Sequence, residues 1–334
     1  MSFLLIPLGL FILIVVLIDM FKTILYINGG GWMSSFTARK IWWFFFKIAR
    51  GKGDAPVLNF AGGTILMGLV AMWILLIWVG YSLIYLSDPN SVVESATGEN
   101  ADIIGNIYYV GYNLTSLGNG DLRAGSSFWR ILSNFMGVNS MIFISLGISY
   151  LLPVLQAVVE KRTLAIYIHQ LGKSPVEIIN KGFNGEDFTP LYSRFQNLET
   201  LLLKHGEQHL AYPVLHYFHT SKRSHSIRLN LAVLDEALNI QEAYHLDNSA
   251  NAYTWGVLRG AMENLSVRLQ EGYNSPYEDP PEFDYFNKLP DNLKNRFDKD
   301  PGIPDDKDFN KRRGKLLGYI KKGGWDWNDV LEAK

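Results

Sequence analysis

The stretch that decides the fold lies between two long apolar runs and reads Tyr108-Tyr109-Val110-Gly111-Tyr112-Asn113-Leu114-Thr115-Ser116-Leu117-Gly118-Asn119-Gly120-Asp121. Its first half continues a short apolar helix that we place at residues 102–114. Its second half places glycine at every other position and ends in an acid. The segment is too apolar for a solvated loop and too short to cross a bilayer. The pattern therefore predicts a re-entrant segment, a short helix followed by irregular backbone.

Three apolar runs, residues 3–27, 57–86 and 128–159, are long enough to span a membrane. No basic residue precedes the first run and no small-residue cleavage site follows it. This favours a retained transmembrane helix at 1–28 over a signal peptide. We expect Asp19, near the end of that run, to be interfacial and to pair locally with Lys22.

Composition narrows the class of protein. Hydrophobic residues make up 48% of the 334 residues and charged residues 19%, with a net charge of -1. No basic patch with interleaved aromatics indicates nucleic-acid binding. The chain has no cysteine, which excludes disulfides, thiolate metal sites and cysteine nucleophiles. We therefore predict an all-α membrane protein in contact with lipid.

The charges between the runs predict the orientation. Segment 29–56 mixes aromatic and basic residues, as is typical of an interfacial cytoplasmic segment, whereas residues 87–121 hold five acids and no basic residue. The third run ends in Glu160-Lys161-Arg162. The positive-inside rule then places the amino terminus and the re-entrant segment outside the cell (inner) membrane and the carboxy-terminal half in the cytoplasm.

Irregular backbone at membrane depth is stable only where it is buried in protein or lines water, so the segment indicates a pore or a cavity. A cation that sheds its water needs oxygens at fixed spacing. Backbone carbonyls supply them when left- and right-handed residues alternate, which glycine at 118 and 120 permits. Ser116 adds a hydroxyl and Asp121 a charge at the outer mouth. The alternative is a short external turn between two ordinary membrane helices, because Asn-Gly and Gly-Asp favour turns.

Thr115-Ser116-Leu117-Gly118-Asn119-Gly120-Asp121 resembles the Thr-Thr-Val-Gly-Tyr-Gly-Asp filter of the potassium channel superfamily. The order outer helix, pore helix, filter and inner helix extends the resemblance over 57–162. The additional amino-terminal helix and the cytoplasmic region are similar to those of bacterial potassium channel family proteins. The resemblance implies a homotetramer that holds potassium ions in the filter and needs no other cofactor.

The main departure from that family is Asn119, where the family has tyrosine. The family's aromatic packs on aromatics of the pore helix, whose counterparts here are Tyr108 and Tyr109. Asn119 is too short to do so, and we expect it to hydrogen-bond a tyrosine hydroxyl instead. We also expect the Tyr112 hydroxyl to contact Asp121. The weaker steric support leaves open a weakly selective or sodium-passing cation channel of the same architecture.

The inner helix carries residues that we expect to line the pore or act as hinges. Small and polar side chains in an apolar span tend to face protein or water, and proline or glycine permits bending. These residues are Gly137, Ser145, Gly147, Ser149 and Pro153.

The carboxy-terminal half has the composition of a soluble protein. Apolar spacing predicts a helical domain at 163–272, and the proline-rich, highly charged stretch 273–334 predicts a mostly extended tail. Within that tail, residues 311–322 form a basic amphipathic exception. We expect it to cap the helical domain, with contact to anionic lipid as the alternative.

The cytoplasmic half carries no nucleophile elbow, phosphate loop, dinucleotide-binding motif or metal-ligand set, so we predict no enzyme activity. Histidines cluster between His205 and His245, and His205 and His209 are weak candidates for metal ligands. The sequence indicates no particular regulatory ligand. A membrane-anchored signalling scaffold stays open as an alternative to a channel.

Overall fold

The computed structural model of the chain describes residues 4–27, 29–244, 246, 252–273, 282, 285–289, 291–295 and 307–331. Within these ranges the protein is helical apart from one two-stranded sheet, which confirms the all-α prediction. The helices are α1 Leu5–Leu25, α2 Trp32–Ile48, α3 Ala61–Tyr85, α4 Ile103–Leu114, α5 Ser127–Leu171, α6 Pro175–Gly182, α7 Thr189–Ala211, α8 Ile227–Tyr244, α9 Ala252–Tyr273, α10 Asp291–Lys294, α11 Lys307–Lys321 and α12 Asn328–Leu331. Short 3-10 turns lie at Pro56–Phe60, Pro213–Tyr217, Arg223–His225 and Phe286–Lys288.

Three helical segments of the described chain are long and apolar enough to cross a membrane: Leu5–Leu25, Pro56–Tyr85 and Ser127–Leu171. They correspond to the three predicted runs. Many of their leucine, isoleucine and phenylalanine side chains are exposed, for example Phe11 and Ile74. Such faces are stable when lipid replaces water around them.

Helix α5 is much longer than the apolar run that predicted it. Its 45 residues continue past residue 159 to Leu171. The charged triplet at 160–162 lies within the helix, and two of its side chains bond other parts of the second unit. Glu160 pairs with Lys204 at 2.9 Å, and Lys161 Nζ donates to the carbonyl of Leu215 at 2.8 Å.

The chain divides into two compact units. The first comprises Met1–Arg39 and Thr64–Val154, and the second comprises Lys40–Gly63 and Leu155–Lys334. The second unit therefore includes much of the segment predicted to be interfacial, since Gly53 N donates to the carbonyl of Gly324 at 2.7 Å. The segments predicted from the sequence end at 28, 56 and 162, because apolar composition changes there. The two units are defined by contacts between residues, so their boundaries differ from these.

In the first unit, α1 packs closely on α3. A Cβ added to Gly9 would lie 2.6 Å from the carbonyl oxygen of Gly80, so glycine is required for this approach. Apolar residues of α1, α3, α4 and α5 form one core around Trp73, Tyr85 and Trp129.

Asp19 corrects a prediction. It is fully buried, whereas Lys22 is exposed. The Asp19 carboxylate accepts hydrogen bonds from the backbone N–H of Met33 at 2.8 Å and from the indole of Trp73 at 3.1 Å. It also accepts from the backbone and hydroxyl of Ser34. Asp19 therefore caps the start of α2 and links α1, α2 and α3, a role that local pairing with Lys22 did not anticipate.

In the second unit, helices surround α8, nearly all of whose residues are buried. Two of its acids form buried ion pairs, Asp235 with Arg259 at 2.6 Å and Glu236 with Arg313 at 2.7 Å. The hydroxyl of Tyr285 also donates to Glu236, at 2.7 Å. The acids in the middle of α8 therefore do not mark a solvent-exposed face of the helix. They are buried, and each is paired with an arginine.

The described part of 273–334 is not an extended tail. Residues 307–321 form α11, whose Phe309, Leu316 and Ile320 belong to the same hydrophobic core as α8. Trp325 and Trp327 are buried there as well. The charge content misled the prediction because Arg313 is itself buried in an ion pair. The expectation that 311–322 caps the helical domain is confirmed.

Candidate functional site

The pore helix of the sequence prediction is α4, Ile103–Leu114. Asp102 precedes it, and its carboxylate accepts a hydrogen bond from the backbone N–H of Gly105 at 2.7 Å. This N-cap explains why the helix begins where it does. Asn106, one turn in, is buried and bonds the hydroxyl of Ser91 at 2.9 Å, which anchors the helix start to the preceding loop.

Helix α4 ends in a Schellman motif. The backbone N–H of Leu117 donates to the carbonyl of Tyr112 at 2.9 Å, and that of Ser116 donates to Asn113 at 3.2 Å. In such a motif the residue that follows the C-cap adopts the left-handed conformation. Here that residue is Ser116, with φ of 57°. The change from helix to irregular backbone is therefore fixed by local hydrogen bonds.

Left-handed residues then alternate with right-handed or extended ones. The φ angles of Ser116, Gly118 and Gly120 are 57°, 60° and 75°, while Leu117 and Asn119 between them have negative φ. This is the alternation expected from the glycine spacing, and it begins one step earlier, at a serine. Residues 115–121 are all exposed in the single chain. This alternation of backbone conformation allows the carbonyl groups of successive residues in 116–120 to point to the same side of the chain.

Tyrosines of α4 contact the segment in different ways. The amide of Asn119 donates to the hydroxyl of Tyr108, the kind of bond expected from the sequence. Tyr112 does not bond Asp121 as expected. Its hydroxyl donates to the carbonyl of Leu122 at 2.6 Å, since the chain has already turned into the next strand there. Tyr109 bonds Ser133 at 2.7 Å, so it fixes α4 against α5 rather than supporting Asn119.

A small sheet follows the segment and was not predicted. Strand β1, Val92–Glu94, pairs antiparallel with β2, Leu122–Ala124, with Val92 opposite Ala124. The carbonyl of Asp121 accepts from Ser95 N at 2.9 Å. Strands of three residues are too short to show an alternating pattern, so they could not be predicted. The sheet holds the carboxy-terminal end of the segment.

The predicted inner-helix residues all lie on α5. Ser145 and Ser149 are exposed, Gly147 is buried and Pro153 is half-buried. A Cβ at Gly137 or Gly147 would meet nothing within 4 Å, so packing within one chain does not require glycine at either position.

One contact on α5 was missed by sequence reasoning. Ser140 donates to the carbonyl of Leu114, the last residue of α4. In the sequence Ser140 is one of several polar residues of this span, and nothing distinguishes it from the others. Ser140, Thr115 and Gly147 also line an apolar cavity of about 350 Å³ in the same unit.

The histidine cluster is buried. Rings of His205 and His209 lie 5.9 Å apart and those of His209 and His216 5.6 Å apart. Burial, reinforced by the positive charge of Lys161, lowers the pKa of His205 to about 3 and holds the pKa of His209 well below its usual range. Among the described residues, no group of three His, Asp or Glu side chains is arranged to hold a metal ion. In this structure His205 and His209 are buried in the second unit, where burial favours their neutral form.

Comparison with known proteins places these elements in a family. The ion-channel family model Ion_trans_2 matches residues 68–157, which include α4, the alternating segment and most of the two flanking spans. The chain is 31% identical over 326 residues to the uncharacterized membrane protein YdjJ of Bacillus subtilis (strain 168), with 96% of this chain and 94% of that protein covered. No solved structure matches. The chain belongs to the family of this membrane protein and carries a two-helix, potassium-channel-like ion-channel domain.

Proposed function

We propose that four copies of this chain form a potassium-conducting channel in which ions pass along the backbone carbonyls of residues 116–120. The observation that carries the proposal is the alternation of left-handed residues at Ser116, Gly118 and Gly120 directly after a short helix. Thr115 lies at the inner start of this filter and Asp121 at its outer mouth. The negative end of the α4 dipole favours a cation beside the filter.

A tetramer is part of the proposal because one copy encloses no pore. The filter residues are exposed in the single chain, as are Ser145 and Ser149 of α5. Four copies around one axis would surround the ion with these faces. We also propose the orientation given by the positive-inside rule, with the filter's acidic mouth outside the cell membrane and the carboxy-terminal half in the cytoplasm.

A second candidate function is a weakly selective or sodium-passing channel. The observation that favours it is the contact of Asn119 with Tyr108, which replaces packing of one ring on another by a single hydrogen bond. An enzyme or a membrane-anchored scaffold receives no comparable support from the described residues.

Planar-bilayer recording of the purified protein under asymmetric potassium and sodium tests the proposal. We expect a reversal potential near the potassium equilibrium value and loss of current in Gly118→Ala, because a side chain at φ of 60° is strained. Gly98→Ala is the matched control: Gly98 has φ of 74°, lies in open space and is outside the filter.

Current that persists in Gly118→Ala would exclude the filter assignment. A reversal potential near zero would select the weakly selective channel. Absence of ion flux together with a monomeric or dimeric particle would favour the scaffold instead.

A further inference from the structure

The second compact unit contains a cavity of about 440 Å³ with strongly basic walls, which we call the basic cavity. Four segments surround it: the 3-10 turn at Pro56–Phe60, the later part of α5, the loop before α8 and the first residues of α8. Its charged and titratable lining residues are Lys161, Arg162, His219, Lys222, His225 and Arg228. No Asp or Glu within the described ranges lines this cavity.

Two of these basic side chains are buried without a carboxylate partner, and burial, together with the charge of Arg228, lowers the pKa of Lys161 to about 7. Lys161 is 7% exposed and Arg228 4% exposed. Lys161 Nζ donates to the carbonyls of Leu215 and Phe218, both at 2.8 Å. The guanidinium of Arg228 donates to the carbonyl of Tyr319 at 2.6 Å. Neither forms an ion pair with a described carboxylate.

The other buried arginines of the same unit behave differently. Arg259 and Arg313 are each paired with an acid of α8, at 2.6 and 2.7 Å. Burying a cation without an anion is costly, because backbone dipoles replace only part of its hydration. Lys161 and Arg228 are thus the exception in this unit, and both face the same cavity. An anion in the cavity would remove that cost.

Further groups around the cavity suit an anion. Helix α8, 18 residues long, begins at the cavity wall with Ile227, so its free N–H groups and positive dipole end are close by. His219 is held neutral, since burial and the nearby cations Arg228 and Lys161 lower its pKa to about 4. Arg162 and Lys222 are exposed, which gives the cavity a cationic mouth open to solvent.

The position of the cavity along the chain indicates what reaches it. Asn59 lies in the first turn of the candidate span Pro56–Tyr85, and Val158 and Lys161 lie where the apolar run of α5 ends. The cavity therefore lies at the level where apolar spans give way to polar sequence. Its volume exceeds that of one phosphate group, so it has room for a phosphate with an organic substituent.

We propose that the basic cavity binds a phosphate-bearing anion, with Lys161 and Arg228 at its buried end and Arg162 and Lys222 at its mouth. The phosphate belongs either to a phospholipid headgroup or to a soluble phosphate compound of the cytoplasm. Both sources present phosphate oxygens, which accept charge-assisted hydrogen bonds from arginine and lysine.

Binding to the full-length protein in nanodiscs tests the proposal without reliance on ion current. One arm titrates sodium pyrophosphate into phosphatidylcholine nanodiscs at constant ionic strength and measures heat of binding. The other arm compares thermal unfolding in phosphatidylcholine nanodiscs with and without phosphatidylglycerol. The test variant is Arg162→Gln/Lys222→Gln, which leaves both buried cations in place. Lys52→Gln, an exposed lysine of the same unit that does not line the cavity, is the matched control.

We expect the double variant to weaken binding about tenfold or more, because both charge-assisted contacts at the mouth of the cavity are lost. Saturable pyrophosphate binding that is weakened only in the double variant supports a soluble ligand. Stabilisation by phosphatidylglycerol alone, lost only in the double variant, supports a lipid headgroup. If neither ligand acts, or if Lys52→Gln responds as strongly as the double variant, the proposal is overturned.

Discussion

At the scale of single residues, Asn119 determines how the proposed filter is supported. Its amide bonds the Tyr108 hydroxyl, so one hydrogen bond does the work that ring packing does in the family it resembles. Sequence reasoning predicted a tyrosine partner but could not choose between Tyr108 and Tyr109. That choice depends on how α4 is rotated, which Ser133 fixes by bonding Tyr109 from the other side.

Tyr108→Phe removes this hydrogen bond while keeping the ring. We expect potassium-over-sodium selectivity to fall about fivefold, which corresponds to a net hydrogen bond of about 1 kcal/mol. Reversal potentials in mixed potassium and sodium solutions measure the change. Tyr109→Phe is the control, since its hydroxyl lies against α5. Unchanged selectivity in Tyr108→Phe would show that the bond does not support the filter.

At the scale of elements, the long apolar helices of the first unit could be predicted from the sequence, but the contacts that join them could not. Runs of apolar residues fix where spans lie because lipid demands them. The two short strands, the extension of α5 to Leu171 and the capping of α2 all depend on partners distant in sequence. Asp19 illustrates this: its nearest basic residue suggested a local pair, while its partners are 14 to 54 residues away.

Asp19→Ala should disconnect α1 from α2 and α3. The variant leaves the N–H groups of Met33 and Ser34 and the indole of Trp73 without their acceptor. We expect a loss of about 2 to 4 kcal/mol in the free energy of unfolding. Thermal unfolding in detergent, followed by tryptophan fluorescence, measures it. Lys22→Ala should leave the midpoint unchanged, and an equal loss in both variants would restore the local-pair interpretation.

At the scale of the whole molecule, the chain consists of two compact units whose boundaries cross helices rather than follow loops. Composition correctly separated an apolar part from a polar part. It did not indicate that residues 40–56 belong to the second unit. It also predicted a mostly extended tail outside 311–322, whereas Phe309, Trp325 and Trp327 are buried in the core of that unit, because the buried partners of a highly charged segment cannot be read from its composition. Of the candidate site, the filter backbone could be predicted from glycine spacing, whereas the basic cavity could not, since its walls come from four separated segments.

The buried histidines make the stability of the whole protein depend on pH. Folding lowers the pKa of His205 to about 3. As the pH falls below about 6.5, this histidine is therefore protonated in the unfolded chain while it is still neutral in the folded protein. Stability therefore decreases as pH falls from about 6.5 towards 3, by up to about 1.4 kcal/mol per pH unit for each such histidine. Thermal unfolding of His205→Leu across this range should show a shallower decline than the parent. Equal slopes would contradict the assignment, and His225→Gln, a half-buried histidine, is the control.

The Schellman motif at the end of α4 has a consequence for biogenesis. Both of its hydrogen bonds, Ser116 to Asn113 and Leu117 to Tyr112, form within a single chain and over six residues. The first turn of the proposed filter can thus take shape as soon as the nascent helix is complete, before any other subunit arrives. In the proposed tetramer, subunits that meet with this turn already formed would lose less conformational entropy on assembly.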